Sequence, residues 1–468
     1  MKTTARTLAF GFAALAGGLL GPSAAAFAQN VNPTPQVNPS ENLATPEPQP
    51  PISPNVEHLF GDWGGLRTYL GRYGINVLLD NTNEFASNIA GGLKQSTTNA
   101  GQTALQVDIN WEKLAGLHGF TTHSVIVGRY GANLSNNIGD QVSPVQEIFG
   151  AGGNVVAHFV YTYGELSLRN GAIDIAVGRM PVGNEFAASP LYCNFMNNAV
   201  CGNPKALSGQ VGGFSAWPDA TWGGRARLRP TQDTYLMFGI FQVNRYLYGT
   251  QAGWRSAWLL SGSGNTGVYV PAEVAWQPKF GRDGLPGNYK LGLGFDSSTY
   301  QVWTPISGSV PATNGLLPSD QGRLQFWALA DQMIFRNGPG DDDGVILLAG
   351  YVHDDPATFL RSDEVFAGFV DRGFWPARSK DTIAGMFSYQ KLSNRLTNAQ
   401  QFDQFFGLLL VNSATGVQTG EGVLEATYQI HVTEGVTFAP DFQYVIRPNG
   451  QRNIPNAVVL GFKSHITF

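Results

Sequence analysis

From about residue 75 to residue 468 the chain alternates apolar and polar side chains with a period of two, again and again. In ALQVDINWEK (104–113), Leu105, Val107, Ile109 and Trp111 share one face, and Gln106, Asp108, Asn110 and Glu112 share the other. VLEATYQIH (423–431), VTFAPDFQYVIR (436–447) and the closing VVLGFKSHITF (458–468) repeat the pattern. That period is a strand signal. The apolar faces are unusually complete, and the polar faces carry charges along the strand middle.

The connections alternate in length. AGLHG (115–119), RNG (169–171), PTQD (230–233) and VTEG (432–435) are tight, and Asn-Gly is a strong hairpin signal. Between them lie long polar loops near 86–103, 131–154, 181–220, 244–266, 299–320 and 391–420. Short turns alternating with long loops mark an outer-membrane barrel with periplasmic turns and external loops. Strands centre near residues 80, 108, 125, 161, 176, 225, 239, 272, 293, 328, 348, 367, 385, 427, 441 and 462. The expectation is an all-β, 16-stranded antiparallel transmembrane β-barrel around an aqueous channel. Closure satisfies every backbone group in lipid, as an open sheet could not.

Composition agrees. Only 13% of the 468 residues are charged, against roughly a quarter in an average soluble domain. A net charge of -5 leaves no basic footprint for nucleic acid. Residues 1–28 read as a secretory signal peptide: Lys2 and Arg6, an apolar 8–20, and an A-x-A site at Ala26-Phe27-Ala28. An uncleaved anchor is the alternative, but the run is short against the ~20 residues a span needs. Residues 29–56 form a Pro-rich linker that cannot bury a core. Residues 57–74 follow as a short helical segment, started by Asp62 and stopped by Gly74, that would plug or line the periplasmic end of the lumen.

Several stretches together resemble the OprB-type carbohydrate-selective porins of Gram-negative bacteria. They are LFGDWGGLRTYLGRYGI (59–75), GRMPVGNEF (178–186), NFMNNAVCGNP (194–204), WPDATWGGRARLRP (217–230), LADQMIF (329–335) and the final EGVLEATYQIHV, PDFQYVIRPNG and VVLGFK. The similarity runs from about residue 58 to 468. It implies passive diffusion of glucose-like monosaccharides across the outer membrane, through a barrel that is generally monomeric and embedded in outer-membrane lipid and lipopolysaccharide. It also implies that Phe468 is what the barrel assembly machinery reads.

A neutral sugar is selected by hydrogen bonds and aromatic contact at a narrow point. Arg225, Arg227 and Arg229 share one parity. Arginine on the lipid face costs about 2–4 kcal/mol, so this ladder should point inward. Arg179 and Arg129 could join it. Asp108 and Glu112, inward by parity, and Glu185 are the acidic counterparts. Trp217, with Trp254 second, is the expected sugar platform. Loop 181–220, the longest, is expected to fold into the lumen, with a surface cap as the alternative. Cys193 and Cys201 can close a structural disulfide or stay as two thiols. Tyr161, Tyr163, Phe442 and Tyr444 are expected in interfacial girdles. Lys463 and His465 are expected near the periplasmic mouth, too far from mid-barrel to select a solute.

No catalytic or cofactor motif stands out, and no metal site beyond the weak Asp341–Asp343 run in a turn, so an enzyme is not expected. The remaining alternatives are a general or anion-preferring porin, an outer-membrane enzyme, and a soluble secreted sugar binder.

Overall fold

The computed structural model describes residues 56–149, 154–208, 212–245, 247, 264–305 and 318–468. The expected signal peptide, nearly all of the Pro-rich linker, Trp254 and most of loops 244–266 and 299–320 lie outside those residues.

Sixteen strands build the wall: β1 Ile75–Ala90, β2 Ser96–Asn110, β3 Phe120–Gly131, β4 Val155–Leu168, β5 Ile173–Met180, β6 Thr221–Thr231, β7 Thr234–Asn244 and β8 Asn265–Trp276. They continue as β9 Leu285–Gln301, β10 Ser319–Arg336, β11 Gly344–Asp354, β12 Arg361–Arg372, β13 Thr382–Leu392, β14 Gly420–Thr433, β15 Val436–Ile446 and β16 Ala457–Thr467. A two-residue piece, Lys279–Phe280, pairs with the start of β9 inside a turn. Each wall strand pairs antiparallel with the next, and β16 returns to β1 through Asp80↔Thr467 to Ala90↔Val458. The sheet is therefore closed and has no free edge. Among the described residues no helix is long and apolar enough to cross a membrane; the strands do so.

Parity sorts the faces as expected over most of the wall. Leu291, Leu293, Leu324, Phe387, Leu424 and Leu460 are exposed outside. Trp276, Phe280 and Tyr289 cluster at one turn, with Trp276 5.6 and 5.7 Å from the other two rings, and Phe442 is also outward, 38% exposed.

Three local features break the expected pattern. The first hairpin is tighter than its polar composition suggests, because β1 runs to Ala90 and β2 starts at Ser96, so 86–103 is mostly strand. At the end of β2, Asn110 accepts a bond from Lys113 N and caps helix α2, Trp111–Ala115. Glu112 therefore leaves the strand alternation and holds His118 at 2.8 Å in the turn, so it does not face the lumen from the wall. In β4, the register slips at Val125/Ile126, whose partners are Tyr161 and Phe159. This bulge turns Val160 and Tyr161 both inward and inverts the parity after it. Tyr161 and Tyr163, 0% and 4% exposed, line the inside and do not belong to a girdle.

Two external loops fill part of the lumen. Loop 181–220 lies inside the barrel and is tied to strands around the whole circumference. Ala187 N donates to Glu273 of β8 (2.8 Å), Ser189 Oγ to Asp331 of β10 (2.8 Å), and Ala206 N to Glu364 of β12 (2.7 Å). Asn197 N donates to Glu425 of β14 (3.1 Å) and its side chain to Gln443 of β15 (2.8 Å). A Cys193–Cys201 disulfide closes the tip. Lys463 of β16 donates to the carbonyls of Cys193 and Phe195, at 3.3 and 3.2 Å. Lys463 thus anchors the inserted loop instead of standing at the mouth, because its strand passes directly behind the tip.

Phe186, Phe195 and Phe214 of this loop are fully buried with Phe241, Tyr269 and Trp327 from the inner wall. Each such ring is worth about 1.5–3 kcal/mol of burial, which holds the loop inside. Residues 132–149 of the shorter preceding loop pack beside it. Glu147 N donates to Met196 O (2.9 Å), Ile148 N to Glu84 of β1 (3.1 Å), and Gln443 Nε2 to Val145 O (3.0 Å).

On the turn side, helix α1, Leu66–Arg72, follows a 3-10 turn at Trp63–Gly65. Asp62 accepts from Thr68 N at 2.7 Å. The segment runs along the rim: Leu59 N donates to Thr467 O (2.8 Å), Arg67 donates to Val77 O (2.9 Å) and to the Phe468 carbonyl, and Phe60 packs on Phe468 at 5.9 Å.

Candidate selectivity site in the lumen

The inner face of β2 to β6 carries one continuous ladder of polar groups. It starts at Asp108, whose cross-strand partner His123 stands 2.7 Å away through Nδ1. The imidazole stacks on Tyr163 at 4.8 Å, the next partner across. Glu165, two residues further along β4 and inward because of the bulge, accepts from Arg225 Nη2 at 3.0 Å. Arg225 Nε donates to Glu185 at 2.8 Å, and Arg227 Nη2 reaches the same carboxylate at 3.0 Å. Glu185 comes from the inserted loop, where the short helix Val182–Glu185 aims it at β6. Burial alone would raise the Glu185 carboxyl, but Arg225 and Arg227 together pull it below its ordinary value.

Exposure separates the members. The Arg225 side chain is 0% exposed, whereas Arg227 keeps 14% and Asp108 19%. A solute can therefore touch a guanidinium at one end of the ladder and a carboxylate at the other, with buried ion pairs between. Arg229 stands one step toward the turns, donating to Gln277 at 3.3 Å with Tyr235 5.5 Å away. Tyr235 and Trp327 in turn donate to Glu273, at 2.7 and 2.8 Å.

A second group forms where the two loops meet the wall. Arg129 lies within electrostatic reach of Glu147, Asp219 and Glu84. Asp219 faces Arg129, Arg179 and Lys205, and Lys205 faces Arg361, Glu147, Glu364 and Asp219. Four cations (Arg129, Arg179, Lys205, Arg361) thus sit among Glu84, Glu147, Asp219 and Glu364, with Asp140, Asp354 and Glu421 also within reach of Arg361. Burial pushes Lys205, on the inserted loop, down to about 7, with Arg361 adding to the shift. Burial likewise pushes Asp219 up to about 7, against the pull of Arg129, Arg179 and Lys205.

Asp108, Glu185, Arg225 and Arg227, singled out from sequence, come together in the ladder. Arg129 and Arg179 belong to the second group instead, the latter donating from Nε to Val160 O at 3.2 Å. Trp217 is 2% exposed, with its Nε1 on Gln102 at 3.3 Å and its ring edge on Tyr161. It is sealed beneath the loop and offers no open face, because the aromatic packing that fixes the loop consumes it. Sequence reading missed Glu165, His123, Lys205, Asp219 and Glu147. Glu165 was legible in principle: a glutamate sharing parity with Tyr161 and Tyr163 contradicts a lipid-facing assignment for all three.

The Asp341–Asp343 run lies in the turn between β10 and β11, where Asp342 pairs with Arg372 at 2.7 Å and Asp343 accepts from Gly340 N at 2.8 Å. Among the described residues no group of three or more metal-ligating side chains is gathered.

Comparison with known proteins supplies the context for this geometry. The family model described as "Carbohydrate-selective porin, OprB family" matches residues 94–468. Porin B of Pseudomonas aeruginosa PAO1 is 30% identical over 442 residues, covering 89% of this chain and 92% of that protein. A putative porin, QuiX, of Acinetobacter baylyi is 25% identical over 436 residues, covering 89% and 94%. Among solved structures, the high-pH structure of Pseudomonas putida OprB superposes with a TM-score of 0.80 at 29% identity, covering 88% of this chain and 99% of that one.

Proposed function

The chain belongs to the OprB family of carbohydrate-selective porins, an outer-membrane β-barrel for sugar diffusion, and from that premise we propose that it favours glucose-like monosaccharides at the Asp108–Arg227 ladder. One observation carries this reading: a partly exposed carboxylate and a partly exposed guanidinium stand at opposite ends of a ladder whose middle is a buried, ion-paired Glu165–Arg225–Glu185 group. A hexose presents hydroxyls that both donate and accept. Arg227 supplies directed donors and Asp108 supplies acceptors. The paired middle keeps both ends in place without a large field of one sign.

The loop level suits the same task. Cations and carboxylates are interleaved there, so no broad field of one sign stands across the path of a neutral solute. Binding has to stay weak for the solute to leave; millimolar affinity, about 4 kcal/mol, is sufficient.

Liposome swelling with glucose, fructose, xylose, a polyol and a disaccharide tests the reading. Glucose and its close analogues should enter fastest, and Asp108→Asn with Arg227→Ala should flatten the ranking. Equal rates across the panel, with a strong chloride preference in bilayers, would leave a general anion-preferring porin instead. The same reading has the barrel working as a monomer without catalytic activity, and has Phe468 taken up by the assembly machinery. Phe468→Ala should lower the yield of heat-modifiable barrel.

A further inference from the structure

The outer wall carries a polar row where an ordinary barrel strand would end in aromatic or aliphatic side chains. His353 of β11, Asp363 of β12 and Lys391 of β13 are direct cross-strand neighbours, His353↔Asp363 and Asp363↔Lys391. All three have outward parity, in phase with Tyr351, Val365 and Tyr389, which form the next row toward mid-membrane and are all exposed. The row lies at the loop ends of its strands. It therefore stands on the external side, just above the apolar belt, at the depth of the outer-leaflet headgroups.

Asp363 is saturated from within the wall. It accepts from His353 Nδ1 at 2.8 Å, Tyr351 Oη at 3.0 Å, Lys391 Nζ at 3.1 Å and Ser362 Oγ at 2.9 Å. Its task is to hold an imidazole and an ammonium side by side. Both remain accessible, the His353 side chain 50% and that of Lys391 44% exposed. With Nδ1 taken, the far ring edge at Nε2 is left for a ligand, as are the other hydrogens of Nζ. The loop that leaves Lys391 adds apolar surface. After helix Asn394–Phe405 it exposes Phe405 (84%), Phe406 (58%) and Leu409 (84%), with the two phenyl rings 5.1 Å apart. An ammonium beside an imidazole, which becomes a second cation and a donor at Nε2 on protonation, stands at headgroup depth on a wall whose next row is apolar, and this fits an amphiphile with an anionic head.

We propose that His353 and Lys391, held by Asp363, bind a phosphate group of lipopolysaccharide in the outer leaflet. The site lies on the outside of the barrel and is independent of what passes through the lumen. Loss of this site leaves the sugar assignment standing, and the reverse also holds.

Purified barrel in detergent, titrated with bisphosphorylated lipid A and read by native mass spectrometry, tests it. The native protein should hold one lipid A more tightly than dephosphorylated lipid A. His353→Ala with Lys391→Ala should weaken bisphosphorylated lipid A about tenfold, to the level of the dephosphorylated form. Lys391→Arg should retain it, and excess inorganic phosphate should not displace it. If the double variant fails to fold, as judged by heat-modifiable migration, Lys391→Gln is read alone and should give about a fivefold loss. Equal binding by native and variant barrels, or by phosphorylated and dephosphorylated lipid, overturns the proposal. Displacement by inorganic phosphate would show a site for a soluble anion and overturn it as well.

Discussion

Two groups of buried charge lie in the lumen, and they are built differently. In the ladder, Arg225 is closed off by Glu165 and Glu185 through direct bonds of 3.0 and 2.8 Å. In the loop level, Arg129, Arg179, Lys205 and Asp219 act on one another through a shared network assembled from two loops and the wall. The first is a brace with functional ends. The second is a field, set by how many of its members are charged. The difference teaches that inward arginines on one strand need not share an environment: Arg225 is sealed against two carboxylates, while its neighbour by two, Arg227, keeps part of its surface open and is the one proposed to meet the solute.

The contrast can be broken most forcefully at Arg225. Arg225→Leu leaves Glu165 buried without its cation and Glu185 with Arg227 alone, and should cost about 3–5 kcal/mol. It should appear as a lower temperature for the heat-induced gel shift. Unchanged stability would make Arg225 a contact residue like Arg227. Arg227→Ala should do the opposite, sparing the gel shift and weakening glucose by about 1 kcal/mol, roughly fivefold, in liposome swelling. Removing the tip of loop 181–220 around the disulfide takes away the plug that Glu425, Gln443 and Lys463 hold in place and should raise single-channel conductance about twofold or more; unaltered conductance would mean the tip lies off the conducting path.

The smallest effect sharpens the field itself. Below about pH 7 Lys205 is charged and Asp219 is protonated; above it Lys205 is neutral and Asp219 charged. Raising pH from 6 to 8 should make the level more negative, since Lys205 and Asp219 each lose a proton. Reversal potentials in a salt gradient should move toward cation preference, and Lys205→Met with Asp219→Asn should reduce the shift. A shift unaffected by that double change would place the titrating groups elsewhere.

The wall was almost wholly legible in the sequence, since a lipid-facing strand must keep its period and a closed sheet needs an even return. What broke the reading was local. The bulge at Val160–Tyr161 flips half a strand without changing its composition. Asn110 ends a strand by capping a helix, so Glu112 looked like wall. Burial of the longest loop had a visible signal as well: GVILLAGYV (344–352) is apolar on both faces, and Ile346, Leu348 and Val352 are buried inside. An inner wall that rejects water needs something apolar against it. The insertion of residues 132–149 had a weaker signal, because its apolar partners on the wall, Ala86, Val445, Ala457 and Val459, are spread over three strands and form no single apolar run.

The inserted loop has a mechanical consequence. Its bonds reach β8, β10, β12, β14, β15 and β16, so it sits like a hub with spokes to much of the rim. A hollow cylinder flattens easily under uneven lateral pressure; a spoked wheel flattens only by stretching or shortening its spokes. Any squeeze from the surrounding membrane that makes the cross-section elliptical therefore pulls on the loop that carries Glu185 and Lys205, so the elastic state of the bilayer is felt by charges in the middle of the lumen.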